Sequence, residues 1–209
     1  MSDPKCKICR RAGEKLFLKG AKCFTPKCTF EKKPNPPGKP LSERKHRTTV
    51  TEYGTQLREK QKIRNVYGVS EAQFSRYVKE STEEKGGSPV DLLYEKLERR
   101  LDNVVFRLGL AESRAHSRQM VAHGHFMVGK RKLTIPSYQV RSGDELRIRE
   151  GSKGSPMFAE AVEKMKKHPV PGWITADAPK LTATIKGTPK YEKGELGFNF
   201  PSVIEFYSR

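Results

Sequence analysis

Four cysteines and a run of arginines are the residues in this chain whose types and spacing can do chemistry. Cys6 and Cys9 are separated by two residues; after thirteen more come Cys23 and Cys28, with four between them. Two close pairs joined by a loop can gather four thiolates around one tetrahedral ion. Zinc is the first choice and an iron–sulfur cluster the second, because Cys-only ligation suits both. The competing reading is four free thiols. Four protein ligands leave no open position, so such an ion would be structural, folding a segment that has little apolar material of its own.

The arginines lie between Leu97 and Tyr138. Leu97, Leu101, Val104, Val105 and Leu108 recur at three- and four-residue steps, which predicts an amphipathic helix over 92–108 with Arg99, Arg100, Asn103 and Arg107 on its other face. Ser113 caps a second helix running to His123, with Ser117, Met120 and Val121 inward and Arg114, Arg118 and Gln119 outward. Gly109 and Gly124 stop the two helices. Phe126 and Val128, then Arg131 to Ile135, flank Gly129-Lys130, a two-residue hairpin turn with glycine first, which adds Lys130 and Lys132 to the basic set. Such a platform holds guanidinium groups outward, where their forked donors match phosphate oxygens. Any single arginine also reads as part of a solvated helix face. The cluster as a whole reads as an RNA or DNA contact.

The whole chain has the same bias. Its 209 residues carry 42 Lys and Arg against 24 Asp and Glu, a formal charge of +18, which implies a polyanionic partner and favours nucleic acid over an acidic membrane. Apolar residues are 34%, too few for one large dry core. No apolar run approaches a membrane span. The N-terminus lacks the apolar stretch of a secretory signal and reads poorly as a transit peptide. The expected compartment is therefore the cytosol, where cysteines hold metal rather than disulfides.

Residues 1–48 are the most basic quarter, with 14 Lys and Arg against 4 Asp and Glu. KKPNPPGKP (32–40) is an extended Pro-rich basic linker. Arg44, Lys45, His46 and Arg47 precede a helix capped at about Thr51 and ending at Gly68, whose apolar positions (Tyr53, Leu57, Ile63, Val66, Tyr67) are sparse. Ser70 opens a capping box for a helix through Phe74, Tyr77 and Val78. Tyr53, Tyr67 and Tyr77 are either core residues of this layer or base-stacking groups. EEKGGSP (83–89) and SKGSP (152–156) are breaks. Strands are expected at 138–140 and 146–148, a helix from Met157, and a terminal strand in SVIEFYSR, with Trp173 as a packing residue. There is no Walker A or Rossmann glycine pattern, no G-x-S-x-G and no H-E-x-x-H. His123 and His125 could pair as ligands or catalytic groups, but no carboxylate sits nearby in sequence to orient them. Neither an enzyme nor a small-molecule substrate is expected.

LREKQKIRNVYGVSEAQFSRY, LERRLDNVVFRLGLAESRAHSRQMVAHGHFMV, IPSYQVRSGDELRI and the terminal IEFYSR resemble the bacterial-type small-subunit ribosomal protein of universal family four, over about Cys6 to Arg209. The resemblance implies an α+β fold: a mainly helical domain with an N-terminal four-cysteine metal knuckle, plus an inserted αβ RNA-binding module of two helices and a short antiparallel sheet. On that division residues 1–46 are the metal-binding basic segment and 47–95 the first part of the helical domain. The inserted module is 96–152, and 153–209 completes the helical domain. Family members with the cysteine cluster bind zinc, or in some cases an iron–sulfur cluster; others lack the cysteines. The implied partners are small-subunit rRNA at a multi-helix junction of its five-prime domain, the ribosomal neighbour of family five, and mRNA where it enters the subunit. The implied role is nucleating assembly of the subunit body and influencing decoding accuracy. Carried over residue by residue, the rRNA-facing positions are Arg99, Asn103, Arg107, Ser113, Arg114, Arg118, Gln119 and His123 in the module. In the helical domain they are Tyr53, Gln56, Arg58, Lys60, Gln61, Lys62, Arg64, Tyr67 and Arg76. This chain departs from the family at the hairpin, where Asn-Gly is usual and Gly129-Lys130 stands, at Ser117, an alanine in the family, and over 180–199.

Overall fold

The computed structural model describes residues 5–38, 49–192 and 197–208. Among them the helices are α1 (Lys5–Ala12), α2 (Thr29–Lys32), α3 (Glu52–Tyr67), α4 (Glu71–Glu83), α5 (Pro89–Glu98), α6 (Leu101–Arg107), α7 (Arg114–Ala122), α8 (Glu150–Lys153), α9 (Ala161–Lys167) and α10 (Phe200–Tyr207). The strands are β1 (Phe126–Val128), β2 (Arg131–Leu133), β3 (Glu145–Ile148), β4 (Ile174–Asp177) and β5 (Thr182–Ile185). The chain divides into two units, residues 1–90 with 192–209, and 91–191.

In the first unit the helix ends are those the sequence predicts. Thr51 accepts from the Gly54 N–H at 3.1 Å and Ser70 from that of Gln73 at 3.4 Å, each side chain satisfying an orphan donor of the first turn. The chain's last residues form a helix, not the expected strand. Asn199 caps it by accepting from Ser202 N–H at 3.2 Å, Pro201 sits in its first turn, and Phe200 and Val203 are buried three residues apart. Their spacing matches a helix period, and each buried side chain contributes about 1.5–3 kcal/mol. Gln56 of α3 donates to Glu205 of α10 at 3.1 Å, and Tyr207 donates to Glu71 of α4 at 2.8 Å.

In the second unit the expected single helix over 92–108 is broken at Arg99–Arg100. Arg100 is extended (φ −63°, ψ 134°), and the backbone groups released there bond to the 136–140 loop: Leu101 N–H to Tyr138 O at 2.8 Å, Asp102 N–H to Pro136 O at 3.1 Å, and Val140 N–H to Arg99 O at 2.9 Å. That loop was expected to be a strand; it makes one isolated bridge, Arg100 to Gln139. Ser113 caps α7, accepting from His116 N–H at 3.3 Å. β1 and β2 form the predicted hairpin, pairing Val128 with Arg131 across Gly129, whose φ of +57° suits the first position of that turn.

The sheet is larger than the sequence predicts. It is antiparallel throughout, in the order β2-β1-β3-β5-β4. β4 and β5, which were assigned to a tail completing the helical domain, extend it from β3. Alternation explains this: Ala183 and Ile185 of β5 are buried while Thr184 is exposed, so one face joins the core of Leu101, Val105, Met120, Phe126, Leu146 and Ile148. Trp173 packs against that core.

Candidate nucleic-acid interface

Beneath the predicted arginine face lies a polar network that the sequence does not reveal. Arg100, placed outward by periodicity, is fully buried and grips Asp102 with both forks, Nε to Oδ1 at 3.0 Å and NH2 to Oδ2 at 2.6 Å. Burial pushes the Asp102 carboxyl upward, against the pull of Arg100 and then Arg118. Arg107 grips Glu98 in the same way at 2.8 and 3.0 Å, with Glu98 fully buried. Asn103, 1% exposed, donates to the Glu98 carbonyl at 3.1 Å and accepts from Arg114 Nε at 2.7 Å. The Arg114 guanidinium also lies 4.4 Å from the Phe106 ring centre. Arg99 pairs with Glu95 at 2.5 Å.

Over this network the remaining candidates face solvent. Arg118 is half exposed, 4.0 Å from Asp102, and Gln119, His123, Lys130 and Lys132 are exposed. Lys132 runs beside Gly124 at the C-terminal end of α7, where an ammonium opposes the negative pole of the helix. So Arg107, Arg114 and Arg118 are each tied to this network, through Glu98, Asn103 and Asp102 in turn, while Asn103 and Ser113 are buried as supports rather than presented.

In the first unit Arg58 and Arg76 are exposed and Tyr53 is half exposed, whereas Gln56, Lys60 and Tyr67 are buried, against the expectation of an outward face. Lys60 donates to Glu71 at 2.6 Å and lies 4.9 Å from the Phe206 ring centre. Gln61 accepts from Arg64 at 3.0 Å; Lys62 pairs with Glu59 at 2.7 Å and Glu14 at 3.0 Å. A cleft of about 600 Å³ between α1 and α3 collects Lys7, Arg11, Arg58, Lys62 and Arg64. Sequence reasoning missed Lys7 and Arg11. Their i, i+4 spacing on the helix that carries Cys6 and Cys9 was the available signal. Arg44, Lys45, His46 and Arg47 lie outside the described residues.

The four cysteines occupy one lobe. Cys9, Cys23 and Cys28 are buried and Cys6 is partly so; the Lys19 N–H donates to Cys23 Sγ at 3.4 Å. Burial pushes the Cys9 thiol up, and the other three sulfurs add to it; a bond with Thr29 brings Cys6 down. Among the described residues, no three or more His, Cys, Asp or Glu side chains meet in metal-holding geometry. The donor chemistry suits a soft ion, while the side-chain placement does not form its tetrahedron. The lobe also has apolar support of its own, from Leu16, Val66, Ile8, Leu18, Phe30 and Phe198.

Comparison with known proteins agrees with the arrangement. Residues 1–98 match the Ribosomal protein S4/S9 N-terminal domain and residues 99–146 the S4 domain. Small ribosomal subunit protein uS4 of Caldicellulosiruptor saccharolyticus is 46% identical over 206 residues, 99% of this chain and 97% of that protein. The proteins of the same name from Oleidesulfovibrio alaskensis and Thermosipho africanus are each 45% identical, over 100% of this chain and 98% of theirs. Among the described residues, no helix is long and apolar enough to cross a membrane.

Proposed function

The chain belongs to the small ribosomal subunit protein uS4 family, and on that premise we propose that it is a structural, non-enzymatic protein of the small ribosomal subunit that works by binding rRNA. The observation that carries this reading is the division of charge over α5, α6, α7 and the β1–β2 hairpin. Glu98 and Asp102 are buried against Arg107 and Arg100, with Arg118 reaching Asp102 from outside at 4.0 Å, so the exposed residues of this region are Arg118, Lys130, Lys132, Gln119 and His123. Cations on a rigid support displace counterions from phosphates, and the shape of the folded RNA rather than its base sequence supplies selectivity. The buried family positions (Gln56, Lys60, Tyr67, Asn103 and Ser113) act by holding their neighbours in place.

The family resemblance supports the finer reading. The target is a multi-helix junction of the five-prime domain, bound early enough to nucleate the subunit body. The protein works in the cytoplasm, beside the ribosomal neighbour of family five and close to where mRNA enters, where it influences accuracy. Cys6, Cys9, Cys23 and Cys28 hold one structural zinc ion, with an iron–sulfur cluster as the alternative. Four soft donors at two-plus-two spacing support that assignment by their chemistry, and the ion would have to draw their side chains into the tetrahedron that this structure does not form. Elemental analysis of the purified chain tests it: about one zinc per chain is expected, and neither zinc nor iron overturns it. For the rRNA assignment, the test is sedimentation after a high-salt wash. Co-migration with small subunits is expected; release into the supernatant, together with no binding to five-prime-domain RNA, contradicts it.

A further inference from the structure

His125, Lys132, Arg149 and Ser152 come from the loop after α7, from β2, from the cap of α8 and from α8 itself, and they meet beside the end of α7. Arg149 Nε–H donates to Ser152 Oγ at 3.4 Å, and the same hydroxyl lies 3.1 Å from His125 Nδ1. The Ser152 oxygen accepts from Arg149, and its contact with Nδ1 leaves Nε2 as the His125 ring nitrogen that Ser152 does not engage. The His123 and His125 rings lie 6.1 Å apart. Lys132 passes close by: a Cβ on Gly124 would meet its Cε at 2.3 Å and its Nζ at 3.0 Å. Ser152 is buried, whereas His123 and Lys132 are exposed and His125 and Arg149 half-buried. A buried hydroxyl thus orients donors that open to solvent.

The charged groups facing His125 are His123 from the end of α7, Arg149 and Lys132, and Phe158 covers its ring edge-on at 5.8 Å. Glu150, the carboxylate next to Arg149, turns instead to Lys153 at 2.7 Å. An assembly of donors with no carboxylate among them, within the described residues, complements a tetrahedral oxyanion.

We propose that His123, His125, Lys132 and Arg149, keyed by the buried Ser152 hydroxyl, form a binding site for one phosphate group and that the site takes up a proton as it fills. Its natural occupant, a backbone phosphate of rRNA, rests on the function proposed above; the site itself does not. Burial, then the charges of His123, Arg149 and Lys132, hold His125 below the usual histidine range. A phosphate set beside Arg149 and Lys132 offsets their potential, so the imidazole regains its proton on binding.

Proton NMR of the His125 ring in the whole chain tests the site, titrating in inorganic phosphate and in chloride at equal ionic strength, with the resonance assigned by His125→Gln. The titration midpoint is expected to move upward in phosphate, and less so in Lys132→Gln, an exposed change that leaves the buried hydroxyl intact. Equal midpoints in the two salts overturn the site. Filter binding of five-prime-domain RNA at about pH 5.8 and about pH 7.5 tests the occupant. The wild type should bind about two- to tenfold tighter at the lower pH, and His125→Gln should lose that gain. A gain preserved in His125→Gln overturns the proposal for RNA. A phosphate-induced midpoint shift without RNA binding at either pH contradicts the proposed function and leaves the phosphate site standing.

Discussion

Arg114 donates from Nε to Oδ1 of Asn103 over 2.7 Å, and Asn103, 1% exposed, is anchored in turn on the carbonyl of Glu98. A guanidinium held from behind has already lost the rotamer freedom that binding would cost it. Asn103→Ala removes that hold without touching the surface. It should weaken rRNA binding by about 1–2 kcal/mol and lower stability by about 1–3 kcal/mol, since a buried carbonyl loses its donor. Filter binding and urea unfolding measure the two, and wild-type affinity in this variant would show that Arg114 needs no support.

Arg100 and Asp102 make a different demand. Removing one charge of a buried, bidentate pair leaves the other with its desolvation cost uncompensated. Asp102→Ala should lose about 3–5 kcal/mol of stability, and Arg100→Met with Asp102→Leu much less, because neither charge then remains. Chemical denaturation of the three chains checks the order; a double variant no better than the single contradicts the pairing.

Glu71 sets the pH response of the helical unit. Burial raises its carboxyl, but the bonds from Lys60 and Tyr207, with the charges of Lys60 and Arg64, prevail and leave it below its ordinary value of 4.5. A carboxylate depressed on folding contributes stability that is present above 4.5 and lost as pH falls through the folded value. Tyr207, raised by burial and then by Glu71, works in the opposite direction. Its contribution is present below its ordinary 10.0 and lost as pH rises beyond it. The melting temperature of the wild type should therefore fall more steeply below about pH 4.5 than that of Glu71→Gln, with the two converging in acid. Parallel profiles would remove Glu71 from this role.

Much of this site was legible in the sequence because it rests on local rules. Ser113, Gly124 and Gly129 announced a cap, a stop and a turn from their own chemistry, and Ser117, Met120 and Val121 are buried as their spacing requires. What failed depended on partners distant in the chain. The break at Arg100 exists because residues 136–140 supply the backbone partners, which no periodicity over 92–108 can register. The last helix was misread because Val203, Ile204, Phe206 and Tyr207 have strand propensity, whereas its packing and its Asn199 cap decide for a helix. β4 and β5 were left out of the sheet because the pair joins it only through β5, whose pairing to β3 links residues as far apart in the chain as Glu145 and Thr184. For Asn103 the helical period, and for Lys60 the family resemblance, pointed outward. Asn103 is buried because it bonds the Glu98 carbonyl, and Lys60 because it packs over Phe206 on its way to the partly exposed Glu71.

The salt dependence of rRNA binding tests the central claim most directly. Log affinity for five-prime-domain RNA against log salt should fall with a slope of about −4 or steeper, and Arg114→Ala with Arg118→Ala should make it shallower by about 1–2 while costing about 1–3 kcal/mol. A slope near zero, or a double variant that matches the wild type in both slope and affinity, would contradict a phosphate-binding face on α6 and α7.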